Sequence, residues 1–267
     1  MTAAIAGRTP REQVELLARI RASTDGTETT SWWSGDIYGQ APGEPYRHLF
    51  GFEGLNVSRL VPVDGGYEML GREAAFYLDP VTREILDRWT NPVTGEQVDV
   101  VHIWNDPVNQ RMVADGPRGP FRLSATLLGD QVCVNMDIPL AYPSPLPTAE
   151  FPDNSADDTY RALELFQFYA PATALDDDSD KNVPHTLSWA RLSPWTPWMA
   201  MGQRPGGLVF HCRGVKMDYS GVPERTRAYI AERNPQYASA PEAWSAPNET
   251  SWTYFRKITA DRQEAGR

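Results

Sequence analysis

A short turn occurs twice in this chain, twelve positions apart, and that spacing leaves room for little except a β-meander. Asp79-Pro80-Val81-Thr82-Arg83-Glu84 returns as Asn91-Pro92-Val93-Thr94-Gly95-Glu96. The proline fixes φ, and the Asx side chain before it can bond the backbone that follows, so each copy reverses the chain. Two reversals around one short run, Ile85 to Thr90, predict three successive antiparallel strands. A third Asx-Pro, Asp106-Pro107, ends a strand from Val98 to Asn105.

The same pattern extends over residues 31–142. Further strands are expected at Leu49–Val61, Tyr67–Leu78, Phe121–Leu128 and Gln131–Leu140, with a tight Leu-Gly-Asp-Gln hairpin between the last two. Prolines 143, 145, 147 and 152 exclude a central strand or helix, so residues 141–160 read as a wrapping loop. Beyond it the β pattern resumes over 161–220: Leu163–Tyr169 (ambiguous with a helix), His185–Leu192 and Gly207–Met217. Helices are expected at both ends. Thr9 caps the first, residues 9–23, with Pro10 in its first turn and Glu12 completing a capping box. Residues 222–234 form the second, which stops at Asn234-Pro235. The segment Ser251 to Ile258 should dock, and Thr259 onward should fray.

The expectation is therefore one mainly β domain over residues 1–267. Its architecture is an antiparallel β-barrel or barrel-like sandwich, lipocalin-like or calycin-like, with a helix near each terminus. Both versions give the same turn spacing. The 9 Trp, 11 Tyr and 9 Phe supply ample core, since each buried aromatic covers roughly 150–250 Å².

A net charge of −10 with no Lys/Arg cluster argues against nucleic acid and anionic membrane surfaces as partners. Asp176-Asp177-Asp178 with Asp180 lacks the ligand alternation of a calcium loop and reads as a solvated loop. Cys133 and Cys212 both lie in apolar runs that read as strands. With no secretory leader and no apolar run long enough to span a bilayer, the cytoplasm is the default location. Nucleotide-binding glycine motifs, a phosphate loop and a Gly-x-Ser-x-Gly elbow are all absent, so no organic cofactor is expected. His48, His102, His185 and His211 have no metal-ligand spacing, so no metal is expected either. Oligomeric state stays open, a homodimer included.

Candidate chemistry rests on placement. Alternation puts Val98, Val100, His102 and Trp104 on one inward face, where His102 is either an acid–base group or a structural histidine bonded to its neighbours. It also aligns His185, Leu187, Trp189 and Arg191. Pro194-Trp195-Thr196-Pro197-Trp198 then presents two stiff indoles, as ligand anchors or as a plug. His211 shares a face with Val209, Arg213 and Val215. Arg59, on an apolar strand face, needs an acidic partner such as Glu53, Glu73 or Asp106. The catalytic candidates are His102, Arg59, Arg191, His211 and Asp106, and the ligand-binding candidates are Trp104, Trp189, Trp195, Trp198 and Tyr77. If a pocket exists, the Trp-Pro stretch should form its wall or lid.

Several of these segments together resemble the bacterial domain-of-unknown-function family 1838 (DUF1838). They are Trp33-x-Gly35-Asp36-Ile37-Tyr38-Gly39, Leu49-Phe50-Gly51-Phe52-Glu53-Gly54-x-Asn56, the paired Asx-Pro turns, Asn105-Asp106-Pro107-Val108-Asn109, and Ser188-Trp189-Ala190-Arg191 through Pro194-Trp195-x-Pro197-Trp198-Met199-x-Met201-Gly202. The resemblance runs from about Trp32 to Tyr254. It implies one unit across the proline-rich loop and transfers no catalytic residue, substrate or cofactor.

Two functions follow as expectations. One is a cofactor-independent lyase or isomerase acting on an aromatic or terpenoid-like molecule, with a histidine or carboxylate moving the proton. The other is a lipocalin-like carrier or sensor of a hydrophobic small molecule, with the same pocket and no chemistry.

Overall fold

The computed structural model describes residues 7–117 and 119–265. The first helix, α1 (Pro10–Arg21), has the capping box that its sequence encodes, with the Thr9 side chain and Glu12 satisfying each other's backbone. Its buried stripe of Val14, Leu16, Leu17 and Ile20 packs on the sheet.

Three long strands follow, β1 (Thr29–Gln40), β2 (Arg47–Val63) and β3 (Gly66–Leu78). A ribbon of β4 (Arg88–Thr90) and β5 (Gln97–Asp99) comes next, then β6 (Ile103–Asn105), β7 (Gln110–Val113) and the two-residue pieces β8 (Asp115–Gly116) and β9 (Gly119–Pro120). The second half contributes β10 (Ser124–Leu128), β11 (Gln131–Pro143), β12 (Thr159–Pro171), β13 (Thr186–Ser193) and β14 (Gly207–Met217). Helices α2 (Ala172–Asp176), α3 (Glu224–Arg233) and α4 (Ser251–Ala265) complete the chain.

Among the described residues ten strands form one antiparallel sheet, in the order β10-β11-β12-β13-β14-β1-β2-β3-β6, with β7 pairing further along β3. The strands on either side of the proline-rich loop belong to this same sheet, because β11 and β12 pair directly and β14 returns to lie beside β1. Among the described residues no ladder joins β10 to β6 or β7, so the strand path is open.

The two Asx-Pro turns form as expected. Asp79 Oδ1 accepts from the Val81 and Thr82 amides at 2.8 Å, and Asn91 Oδ1 accepts from Val93 and Thr94 at 2.8 and 3.3 Å. Gly95 and Arg83 occupy the same left-handed position, at φ 75° and 63°. An arginine tolerates that conformation at a cost. Here its guanidinium is held by Asp36 at 2.7 Å and by the Gly35 carbonyl at 2.9 Å.

Other details depart from expectation. The run between the turns forms no third strand of the main sheet: Ile85 makes a single bridge to Leu78, and Arg88–Thr90 pairs only with Gln97–Asp99. The strand expected from Val98 to Asn105 breaks at residues 100–102, because the main sheet takes up only Ile103–Asn105 while the ribbon takes Gln97–Asp99. The ambiguous Leu163–Tyr169 is the middle of a 13-residue strand. The C-terminal segment is helical to Ala265, anchored where Trp252 meets Tyr160 at 4.6 Å between ring centres.

The sheet has two apolar faces. One buries Phe50, Phe52, Tyr77, Trp189 and Phe210 together with α1. The other buries Leu55, Val57, Ala74 and Phe76 against Ile230 of α3.

Candidate functional site

Strand alternation, which sends every second side chain to the same face, also places ionisable groups inside the sheet. In register, Ser31 of β1 lies opposite Asn56 of β2, Asn56 opposite Glu73 of β3, and Glu73 opposite Asn105 of β6. This polar row crosses four neighbouring strands. Far along the sheet order, Glu164 of β12 pairs in register with Arg191 of β13. Glu73, Glu164 and Arg191 nevertheless border one cavity, so the sheet curls until these two walls face each other. Arg21, at the end of α1, bridges in the same way. It bonds Gln110 of β7 at 3.2 Å and Met136 of β11 at 3.4 Å.

Between the walls lies a cavity of about 480 Å³. Trp33, Trp189, Phe166, Phe168 and Tyr142 line it with aromatic surface. Trp33 reaches its place because its cross-strand partner is Gly54, where a Cβ would come within 2.8 Å of the indole. Trp33 and Trp189 then meet edge to face at 6.0 Å, and Phe166 stacks on Trp189 at the same distance. At another part of the lining, Asn109 and Asn248 exchange bonds at 2.9 and 2.8 Å, which fastens the segment before α4 to the loop after β6. Size and lining match those of small-molecule sites, which are mostly apolar with a few placed polar groups.

The charged groups are unequal. Arg191 contacts Glu164 at 3.2 Å and donates to the Tyr160 hydroxyl at 2.6 Å. Burial alone would lower its pKa, but Tyr160, Glu164 and Glu73 push it upward, so Arg191 is a fixed cation. Glu73 is pushed up to about 7, mainly by burial and further by Glu164, against the opposing pull of Arg191 and the Asn105 bond at 3.3 Å. It retains some accessible surface because it borders the cavity. A carboxyl group that titrates near neutrality can both take and give a proton under physiological conditions. Burial also raises Tyr142, to about 12, and raises Glu249. Four polar atoms on lining residues have no protein partner among the described residues: Trp33 Nε1, Trp189 Nε1, Arg191 Nε and Asn105 Oδ1.

Of the residues picked from sequence, only Arg191 and Trp189 line this cavity. His102 is buried between Phe76 and Tyr229, where its Nδ1 accepts the Tyr77 amide at 3.2 Å. Burial pushes its pKa down to about 4. The broken strand turns His102 toward α3 and away from this cavity. Trp104 sits beside it, against Phe76 and Tyr237. Arg59 reaches Glu28 at 3.2 Å, while Asp106 pairs with Arg72 at 2.7 Å. His211 is exposed, so the inward face expected for it is the outward one; Phe210 and Cys212 are buried instead.

The Trp-Pro stretch is neither wall nor lid of the cavity. Trp198 packs on Phe50, Tyr77 and Trp89 at 5.6, 5.0 and 5.8 Å. Tyr77 is thereby buried, and its hydroxyl is pushed up to about 12. Trp195 donates to the Arg204 carbonyl at 3.1 Å and borders only a recess of about 20 Å³, room for little more than a water molecule. The acidic loop has a structural task, because the Asp180 carbonyl accepts from buried Arg19 at 2.5 Å and Asp178 pairs with Arg8 and Arg19.

Sequence reasoning missed Glu164, Arg21, Asn56, Asn105 and Tyr142, and it named Glu73 only as a partner for arginine. Alternation of Glu164, Phe166 and Phe168 was the available signal. It was masked because that segment can also be read as a helix.

Among the described residues no group of His, Cys, Asp and Glu is arranged to hold a metal ion, and no helix is long and apolar enough to cross a membrane. No functionally curated protein matches the chain. The strands that build the cavity, from Ser31 onward, and the segment through Ser251 all fall within residues 26–259. That span is matched by the model of a family described as proteins of unknown function (DUF1838), and the chain belongs to that family.

Proposed function

We propose that this chain is a cofactor-independent enzyme, a lyase or isomerase, that takes an aromatic or terpenoid-like molecule into the cavity and moves a proton with Glu73. One observation carries the reading: a carboxyl poised near neutrality lies within electrostatic reach of a fixed Arg191–Glu164 pair in an aromatic-lined space. Glu73 takes the proton-moving role expected of His102. Arg191 steadies negative charge as it develops on the substrate, and Trp33 and Trp189 orient a flat or branched apolar skeleton. The curled, open sheet serves as a barrel-like, calycin-type cup around the ligand.

A carrier or sensor is the second reading. It is favoured by the engagement of Arg191 with both Glu164 and Tyr160, which leaves less of the guanidinium for a substrate. Thermal-shift screening against aromatic and terpenoid metabolites, followed by product analysis, separates the two. The enzyme reading expects a stabilising ligand to be converted, with conversion falling by about 10²-fold or more in Glu73→Gln while binding persists. A ligand bound and returned unchanged favours the carrier, and the absence of any stabilising ligand counts against both.

A further inference from the structure

Two arginines at the end of α1, Arg19 and Arg21, are held in different ways, Arg19 buried and Arg21 half-buried. Arg19 is saturated: it donates to the carbonyls of Asp180, Asp177 and Ala174, and Asp178 lies at 3.3 Å. Among the described residues Arg21 has only the Gln110 amide oxygen and the Met136 sulfur as acceptors, and sulfur is a weak one. Its guanidinium stacks over Phe168 at 5.2 Å, a ring that also lines the cavity. Its Nε and Nη2 groups have no acceptor, and no carboxylate touches it, among the described residues. Burial lowers it to about 10, with Glu164 partly opposing, so it remains charged at neutral pH.

The lining holds Arg21 and Arg191 against Glu73, Glu164 and Glu249. Glu164 neutralises Arg191 by direct contact. Burial raises the pKa of Glu73 and of Glu249, and neither carboxylate contacts Arg21. Among the described residues Arg21 is the lining cation that no carboxylate contacts, and it stands at the edge of an aromatic space.

We infer that the cavity's ligand carries an anionic group of the carboxylate or sulfonate class, and that Arg21 is the anchor for it. A guanidinium with free N–H groups beside an aromatic ring suits such a ligand, because it can donate paired hydrogen bonds to anionic oxygens and its stacked face is already held in place. This inference rests on reading the cavity as a ligand site, and it narrows the substrate class to apolar acids.

A matched pair of fluorescent probes tests it. 8-Anilinonaphthalene-1-sulfonate and N-phenyl-1-naphthylamine share a ring system, and only the first carries an anion. The wild-type protein should bind the sulfonate about tenfold tighter or more, the discrimination expected of charge-assisted hydrogen bonds. Arg21→Gln should erase that preference while binding of the uncharged probe is unchanged, and Arg21→Lys should retain part of it. Arg21→Met, which keeps an apolar stem against Phe168, is the second variant. Equal affinities in the wild type, or a preference that survives Arg21→Gln, overturns the assignment. Loss of both probes in both neutral variants makes Arg21 a structural residue and overturns it as well. Failure of the wild type to bind either probe removes the cavity reading itself, a result distinct from all of these.

Discussion

Two aromatic regions of this protein are built from the same side chains and do different things. At one, Trp198, Tyr77, Phe50 and Trp89 close on each other with ring centres 5.0–5.8 Å apart and leave almost no space. At the other, Trp33, Trp189 and Phe166 come no closer than 6.0 Å and border about 480 Å³. The buried polar side chains around the first group, Asn91, Thr196 and His102, are neutral at pH 7. Around the second the inward side chains include Glu73, Glu164 and Arg191. Charged groups keep the second region open, because they resist the close packing that apolar rings accept and must face either water or a ligand. Aromatic density therefore marks a core as readily as a site, and inward charge tells the two apart.

The largest expected effect tests the packed side of this contrast. Trp198→Ala should cost about 3–5 kcal/mol of unfolding free energy, as large-to-small changes in filled cores do. Phe166→Ala, at the cavity, should cost about half as much or less, because one side of the ring already lacks packing partners. Urea titration of both variants makes the comparison, and equal losses would erase the distinction between the regions.

Next in size is Arg191→Met, which strands Glu164 without its partner and should cost about 3 kcal/mol. The double variant with Glu164→Gln should recover part of that loss in the same urea assay. A double variant no more stable than the single one would mean that the pair is not coupled.

Glu73→Gln should act in the opposite direction. The folded protein holds the Glu73 proton up to about pH 7, whereas the unfolded chain releases it near 4.5. Between those values the folded state binds more protons, so the contribution of Glu73 to stability falls as pH rises and is lowest above 7. His102 and His185, pushed down to about 4 and 3 mainly by burial, work in the other sense: their contribution is full above 6.5 and is lost as pH falls. The Glu73 signal is therefore the difference between wild type and Glu73→Gln. That difference should grow in the variant's favour from pH 4.5 to 7, and a flat difference contradicts the placement of Glu73.

The smallest effect on ligand binding belongs to His102→Gln, which should change probe affinity less than about twofold, while the lost Tyr77 bond costs roughly 1–2 kcal/mol of stability. A tenfold change in affinity would reinstate His102 at the site.

How much of this was legible in the sequence follows from the range of the interactions. The capping box of α1, both Asx-Pro turns and the Gly129 hairpin depend on residues a few positions apart, and their spacing specified them. Trp189 and Arg191 were placed inward by period-two alternation on one continuous strand. His102 was misplaced because alternation was carried across a break at residues 100–102, beyond which parity no longer fixes a face. Glu164 was hidden by a segment readable in either period. The site itself depends on the curl that brings Glu73 opposite Glu164, across strands distant in sheet order, and no local pattern encodes that meeting.

The central claim is that Glu73 is an acid–base group poised near neutrality in a ligand cavity. Carbon-13 NMR titration of glutamate-labelled protein measures this directly, with Glu73→Gln as the assignment control. One carboxyl resonance should titrate with a midpoint near 7, be absent from the variant, and shift when an aromatic probe binds. Glutamates that all titrate near 4.5, or a raised midpoint that persists in Glu73→Gln, would contradict it.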